Sequence, residues 1–453
     1  MSVPELRTRI KGDVLEPGDP GFEEARSLWN MRLDRRPDLI ARCSGSEDVA
    51  AAIEFARSRE MQLSVKAGGH SYAAKSVADS GLLIDLGAMN SIDVDVDRKT
   101  VTIGPGVTCG MLDAATQEHR LATTTPTVSS VGVIGAALGG GSGYLGRKYG
   151  LTLDNVMSAQ MVTADGDHVD VRPDREEELF WGVRGGAGNF GVVTSMQLRL
   201  HEVGPEVLAG QIIYPFDDAA ELFRTYRDFM AEAPNEFQCY PFCFRIPPID
   251  VFPESTHGQP VLDFVLYHED PGAIDFVKPL RDLGDPILDM VGPAPYVEVQ
   301  QGFDANLPKG HRYLSKAHDL DELSDGAIDT MVEYVPKMVG AFTAAYFDPL
   351  GGAIAQIDAT ETPFAGRSTD FGFHCLAGWI DAEEDDEVMG WASEFHQAMA
   401  VHATGGVYVN LIAEDEDERV PAAYGSNYQR LVELKGRWDP SNLFQGNYNI
   451  PPA

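Results

Sequence analysis

Val65-Lys66-Ala67-Gly68-Gly69-His70-Ser71-Tyr72 is the stretch on which the reading of this chain turns. Ahead of it, Ser46 is placed to cap a helix with Glu47 and Asp48 in its first turn and Val49, Ile53 and Ala56 as its apolar stripe. Residues 62–65 then read as a short strand, so helix, strand and glycine turn follow in order. Gly68 and Gly69 permit backbone conformations closed to other residues and bring a ligand close to bare amides. His70 is thereby held beside whatever those amides bind. Taken alone, Gly-Gly-His is a tight turn with an exposed imidazole; the rest of the chain makes it a binding turn.

At 453 residues the chain can bury a large core and divides into two or three domains. No low-complexity tract or internal repeat interrupts it. The net charge of −35, with few lysines, argues against nucleic acid or an anionic membrane as partner. Excess carboxylate with depleted lysine also suits a high-salt cytoplasm, where screening tolerates self-repulsion. The acidic runs at 381–387 and 414–418 read as solvated surface. Cys43, Cys109, Cys239, Cys243 and Cys375 are scattered and odd in number, and Cys239 and Cys243 lack a second ligand pair at zinc spacing. Buried free thiols and no metal site are expected. The first twenty residues contain no apolar signal core and nothing later approaches a membrane span, which fits a reducing cytoplasm.

Residues 81–200 alternate strand and turn signals. GLLIDL and TVTIGPGV read as strands, 111–119 as a helix, and NVMSAQMVTADGDHVDV as a hairpin about Asp165-Gly166. A short helix at 176–181 precedes the β-branched strand FGVVTSMQLRLHEV. After Gly204-Pro205 the texture changes. Helices at 218–230, 324–335 and 387–402 alternate with strands VLDFVLY, GGAIAQI and FGFHCLAGW, the pattern of an α+β domain with helices on an antiparallel sheet. A last helix at 426–437 returns the tail to the first domain. The expected division is 1–205, 206–409 and 410–453.

Two stretches match G-x-G-x-x-G, Gly141 to Gly146 and Gly186 to Gly191. The dinucleotide fingerprint requires strand, glycines, then the start of a helix. The second match runs from a helix into a strand. The first lacks an acidic residue closing a second strand at the expected distance. A Rossmann reading fails, and glycine-assisted packing competes with ligand binding at both. Three glycine-rich turns nonetheless supply many backbone N–H groups. A protein this acidic must hold a phosphorylated cofactor by amides and a few cations, with Lys66, Arg147 and Arg184 the candidates.

Read in order, VKAGGHSY, GLLIDLGAMNSIDVD, VTIGPGVTCGMLD, TVSSVGVIGAALGGGSGYLGRKYGLTLDNV, LFWGVRGGAGNFGVVT and RWDPSNLFQGNYNIPP closely resemble the berberine-bridge-enzyme-like FAD-linked oxidases. That family has the fold of vanillyl-alcohol oxidase and para-cresol methylhydroxylase. The resemblance spans nearly the whole chain; the middle joins it only through GGAIAQI, Phe364, Arg367 and the Tyr408-Val409-Asn410 strand. It implies an α+β fold, with a two-part FAD-binding domain and a substrate domain whose antiparallel sheet is covered by helices. It also implies a covalent bond from the His70 imidazole to the flavin, with Ala67 to Ser71 cradling the pyrophosphate. The remaining cofactor-binding positions it implies are Lys66, Gly68, Gly69, Tyr72, Thr127, Ser130, Val131, Gly132, Gly135, Gly140, Gly143, Gly191, Val193, Asn447 and Asn449.

Several positions depart from the family pattern. Val128 stands where some members attach a cysteine to the flavin, so a single attachment is expected. Ala136 replaces a histidine and Thr125-Pro126 a pair of glycines. The position after Asn410, a tyrosine base in many members, is Leu411, which has no proton chemistry. Other residues must then take the proton that leaves with hydride transfer. Tyr408 and Asn410 share a strand face, while His374 and Gln356 lie on strands of the second domain; Tyr144 is a further candidate. A structural tyrosine or a satisfied core histidine is the plain alternative for Tyr408 and His374. An amine substrate would remove the need for a strong base. Val131 matches the oxygen-gating position, where a small side chain resembles oxidases. The implied activity is hydride removal from a small alcohol, sugar or amine, with molecular oxygen reduced to hydrogen peroxide. A flavin dehydrogenase with another acceptor and a non-catalytic flavin carrier are the alternatives.

Overall fold

The computed structural model describes residues 1–453, built around three main sheets. In the first, Leu39–Arg42, Leu82–Asp85 and Leu63–Lys66 run parallel in that spatial order, with Asp13–Leu15 antiparallel at the edge. Leu39–Ala41 and Leu82–Ile84 read as continuous apolar runs because helices cover them, as parallel sheets require. The helix Ser46–Ser58 buries Val49, Ile53 and Ala56 there, as its periodicity predicts. Gly45 caps it, and Ser46 is its first residue. Asp48 turns back instead to accept from the N–H groups of Ser44, Lys11 and Gly12.

The second sheet orders Ile92–Asp95, Thr100–Ile103, Val192–Arg199, Val156–Val162 and His168–Val171 as antiparallel neighbours. The hairpin turns at Asp165-Gly166, with Gly166 at φ +88°. The helices Cys109–Gln117 and Glu177–Val183 pack beside it, each within two residues of its predicted start.

The third sheet has eight strands and is antiparallel throughout. Its period-two pattern separates two faces. Phe237, Cys239 and Cys243, with Leu262, Phe264 and Leu266, point into a core capped by helices Ala219–Glu232, Asp325–Tyr334 and Asp385–Met399. Tyr240 and Phe242, Asp263, Tyr346 and Asp348 point the other way, toward the first two sheets. The alternation is therefore what gives the molecule an inner wall. All five cysteines are buried and unpaired. No helix is long and apolar enough to cross a membrane.

Three expected elements differ. GGAIAQI is a helix, Gly352–Gln356, because Gly351 and Gly352 at φ +76° and +52° reverse the chain and the alanines and glutamine that follow favour a helix. Tyr408-Val409-Asn410 is a tight turn, Val409–Leu411, closed by the Leu411 N–H on the Tyr408 carbonyl. The 414–418 run is only partly solvated. Glu416 is buried against Lys316 at 3.1 Å and Arg419 at 3.3 Å, and Glu414 pairs with Arg32. Glu416 thereby joins the tail to the third sheet through Lys316, and Glu414 joins it to the N-terminal segment through Arg32.

The tail returns to the first half of the chain through the helix Tyr428–Trp438. Lys435, fully buried, donates to Asp439 and to the carbonyls of Asn189 and Phe444. Asn189 in turn donates to the Tyr448 carbonyl and accepts from the Ile450 N–H. Arg367 clamps Asp154 bidentately at 2.7 and 2.8 Å, both side chains nearly dry, and so joins the middle of the chain to the flank of the second sheet.

Candidate active site

Between the sheets lies one cavity of about 930 Å³. Its inner end is built by the strand Leu63–Lys66 and the turn that follows. None of the N–H groups of Gly68, Gly69, His70 and Ser71 donates to a protein acceptor, so they form an open row of donors at the end of a parallel strand. Gly68 is required there: a Cβ would lie 2.6 Å from the Gly132 nitrogen, so two loops meet backbone to backbone. Gly69 has φ +69°. These donors suit a diphosphate, and the long cavity beyond them suits a dinucleotide; the residues fit FAD. Asn449 Oδ1 is buried without a partner.

His70 lines the cavity, stacked on Trp29 with ring centroids 4.8 Å apart. Its Nε2 lies 2.7 Å from Ser130 Oγ. Burial, with Lys309 adding to it, pushes the imidazole down to about 3, so the ring is neutral at physiological pH. Hydrogen bonding engages one nitrogen and leaves Nδ1 free.

Of the expected cofactor positions, Ala67, Gly68, Gly69, Ser71, Tyr72, Thr127, Val131, Gly132, Gly135, Gly191, Val193 and Asn447 line the cavity with His70. Ser130 reaches it through the His70 bond. Lys66, Gly140, Gly143 and Asn449 do not line it. Lys66 is buried beneath the turn, 3.5 Å from Asp85. Gly140 and Gly143 are packing residues. A Cβ on Gly140 would meet the Tyr408 ring at 2.6 Å, and one on Gly143 would meet the Thr125 carbonyl. Arg147 donates to the carbonyls of Leu350 and Ala233, and Arg184 to that of Glu361; neither faces the cavity. The open donors at this end of the cavity are main chain alone.

The glycine run presses against Tyr408 and Asn410. Tyr408 Oη accepts from the Gly141 N–H at 2.6 Å and from Asn410 Nδ2 at 2.7 Å, and Asn410 also donates to the Ala136 carbonyl. Burial pushes the Tyr408 phenol up to about 12, the two donors opposing it, so it stays protonated and is not a base. Leu411 faces the cavity, as do Val128 and Val131.

Three catalytic candidates fall away or change role. Gln356 is exposed on its short helix. Tyr144 is 4% exposed and stacks on Tyr267, its ring carried away from the cavity by the turn at Gly143. His374 is buried behind the cavity wall, not on it. Its Nδ1 lies 2.6 Å from Tyr346 Oη and its Nε2 2.9 Å from Ser315 Oγ. Ser315 donates onward to the Leu411 carbonyl, so the network assigns the proton to Nε2 and makes Nδ1 the acceptor of the Tyr346 hydroxyl. Burial holds His374 neutral, pushed down to about 3.

The strand Ala344–Pro349 provides what the sequence reading missed. Tyr346 and Asp348 both project into the cavity. Asp348 Oδ2 accepts from Ser142 Oγ at 2.9 Å, while Oδ1 has no partner. Burial, against the Ser142 bond, pushes this carboxyl up to about 7. A carboxyl poised near neutrality on a cavity wall is a proton-transfer group by its chemistry. Alternation along Ala344-Ala345-Tyr346-Phe347-Asp348 was the available signal.

Comparison with known proteins supports an FAD-linked chain. A family profile described as "FAD binding domain" matches residues 37–172, and one described as "Berberine and berberine like" matches 407–451. The (R)-6-hydroxynicotine oxidase of Paenarthrobacter nicotinovorans is 30% identical over 98% of this chain and 97% of its own length. An FAD-linked oxidoreductase of Dictyostelium discoideum is 28% identical over 99% and 97%. The crystal structure of 6-hydroxy-D-nicotine oxidase from Arthrobacter nicotinovorans superposes with a TM-score of 0.87 at 29% identity, covering 98% of both chains. Xylooligosaccharide oxidase from Myceliophthora thermophila shares the fold, with a TM-score of 0.87 at 23% identity.

Proposed function

Since the chain belongs to the berberine-bridge-enzyme-like FAD-linked oxidoreductases, we propose that it is an oxidase. It binds FAD covalently through His70, takes hydride from a C–H bond of a small alcohol, sugar or amine, and passes the electrons to molecular oxygen. The observation that carries this reading is His70 itself. A neutral, desolvated imidazole sits at the end of an unpaired N–H row, with Ser130 engaging Nε2 and Nδ1 left to form the bond.

FAD, when bound, supplies a two-electron acceptor for the hydride. The chain's own residues do the rest. Main-chain donors of the Gly68–Ser71 turn hold the pyrophosphate without a basic side chain. The Asp348 carboxylate receives the proton that leaves the substrate's oxygen or nitrogen. Tyr346, whose hydroxyl proton is committed to His374 Nδ1, offers lone pairs that orient the same group. Tyr408, protonated and pinned by Gly141 and Asn410, offers its own proton as a donor beside Asp348. His374 thus acts as a positioning residue. The small Val131 side chain at the cavity wall supports oxygen as the acceptor.

Acid denaturation tests the attachment: the precipitated polypeptide should stay yellow and fluorescent, and the His70→Ala variant should release its flavin. Colourless wild-type protein with free FAD in the supernatant refutes the covalent bond. Reduced enzyme that meets air no faster than free reduced flavin refutes the oxidase assignment in favour of a dehydrogenase.

A further inference from the structure

On the inner wall stands a carboxyl that the reaction does not use. Asp263, in the middle of strand Pro260–His268, lines the cavity and is 2% exposed; no protein group donates to its carboxyl, and its Oδ1 is fully buried without a partner. An unpaired buried carboxyl costs stability, so its persistence on a cavity wall marks a place where a ligand supplies the missing partner. Burial alone perturbs it, raising its pKa far above the carboxylate range; no cation offsets the effect.

Register places it relative to the reacting end. Asp263 pairs with Phe242, and Phe242 with Tyr346, two residues before Asp348. Two strand spacings and one pleat repeat therefore separate the carboxyls by about 12 Å on the same face. Between them the floor is aromatic, Tyr240 and Phe242 with Tyr346 tilted onto Phe242 at a centroid distance of 4.2 Å. Such a surface receives a methylene chain and favours cations over anions.

The cavity holds no cation free to answer either acid. Lys75 pairs with Asp417, and the Arg245 guanidinium donates to the carbonyls of Met338, Gly258 and Pro336. Two buried acids, each with one oxygen left without a partner, an aromatic floor and no available base describe a receptor for a ligand with basic nitrogens at both ends.

We propose that the substrate is a diamine or longer polyamine, its distal ammonium seated on Asp263 while the amine to be oxidised lies at Asp348. The inference rests on the flavin-oxidase reading only for which end reacts; the binding it assigns to Asp263 stands apart from the flavin.

Calorimetry therefore tests it on the whole protein, with diaminobutane, diaminohexane and diaminooctane set against hexylamine, octylamine and octanediol. Wild-type protein should bind its best diamine about 30-fold more tightly than the monoamine of equal length, the difference expected for one buried charge pair. In Asp263→Asn the ratio should fall below about 3-fold. In the absence of ligand, Asp263→Leu should melt no lower than wild type, because it removes an unsatisfied group. Equal binding of diamine, monoamine and diol, a preference that survives Asp263→Asn, or a collapse of stability in Asp263→Leu would each overturn the proposal. Failure of the acid-denaturation test alone would remove the covalent flavin and leave this binding preference standing.

Discussion

Replacing Asp348 with asparagine removes the group placed to accept the substrate's proton while keeping its shape and an oxygen for the Ser142 hydroxyl. In wild type the carboxyl is pushed up to about 7 by burial, and only its ionised form can act as base. Flavin reduction should therefore rise with pH through a midpoint near that value. One unit below it, about a tenth of the sites are ionised and the rate falls about tenfold. A positioned general base is worth about 10²–10⁴-fold, or about 3–5 kcal/mol of barrier. Asp348→Asn should lose that factor in the limiting rate and with it the dependence on pH around neutrality. Anaerobic stopped-flow mixing with an amine that reduces wild type, from pH 6 to pH 8, reads both quantities. The residue after Asn410 is Leu411, which has no proton chemistry, so no second base on that turn rescues the variant. A variant that keeps more than about a tenth of the wild-type rate with an unchanged pH profile would refute the assignment of Asp348.

Two further expectations concern stability. Asp113, buried beside Gln300 and pushed up to about 7, stays protonated in the folded chain where the unfolded chain has already ionised; stability therefore falls as pH rises from about 4 to about 7, then levels. Asp113→Asn should melt higher than wild type at pH 8, by about 4 kcal/mol at most, and gain nothing at pH 3; equal melting at both ends would contradict it. Arg367→Met strands the Asp154 carboxylate in a dry site and should cost about 3–5 kcal/mol in denaturant unfolding, whereas a loss under about 1 kcal/mol would show that water reaches the clamp.

Much of the flavin end was legible in the chain because it is made of contiguous backbone. Gly68, Gly69 and His70 act where the sequence puts them, at the end of one strand, and their chemistry needs only a turn and its N–H groups. Helix stripes such as Val49, Ile53 and Ala56 were legible for the same local reason. The substrate end was not. Its wall is assembled from strands far apart in sequence, and the faces of Tyr346, Asp348 and Asp263 follow from register with neighbours the sequence does not name. Gln356 and Tyr144 failed as catalytic residues because a short helix and a turn carry them away from the cavity.

His374 marks the boundary between the two kinds of information. Its residue type and its strand were readable, and its role was not, because a ring with both nitrogens engaged by Tyr346 and Ser315 cannot meet a ligand. By itself the sequence located the open row of main-chain donors at Gly68 to Ser71, since that turn is local backbone. Only the tertiary structure decided which acids face the substrate: side-chain direction on a sheet is set pair by pair across strands, and burial, which tunes those acids, exists only once they are packed.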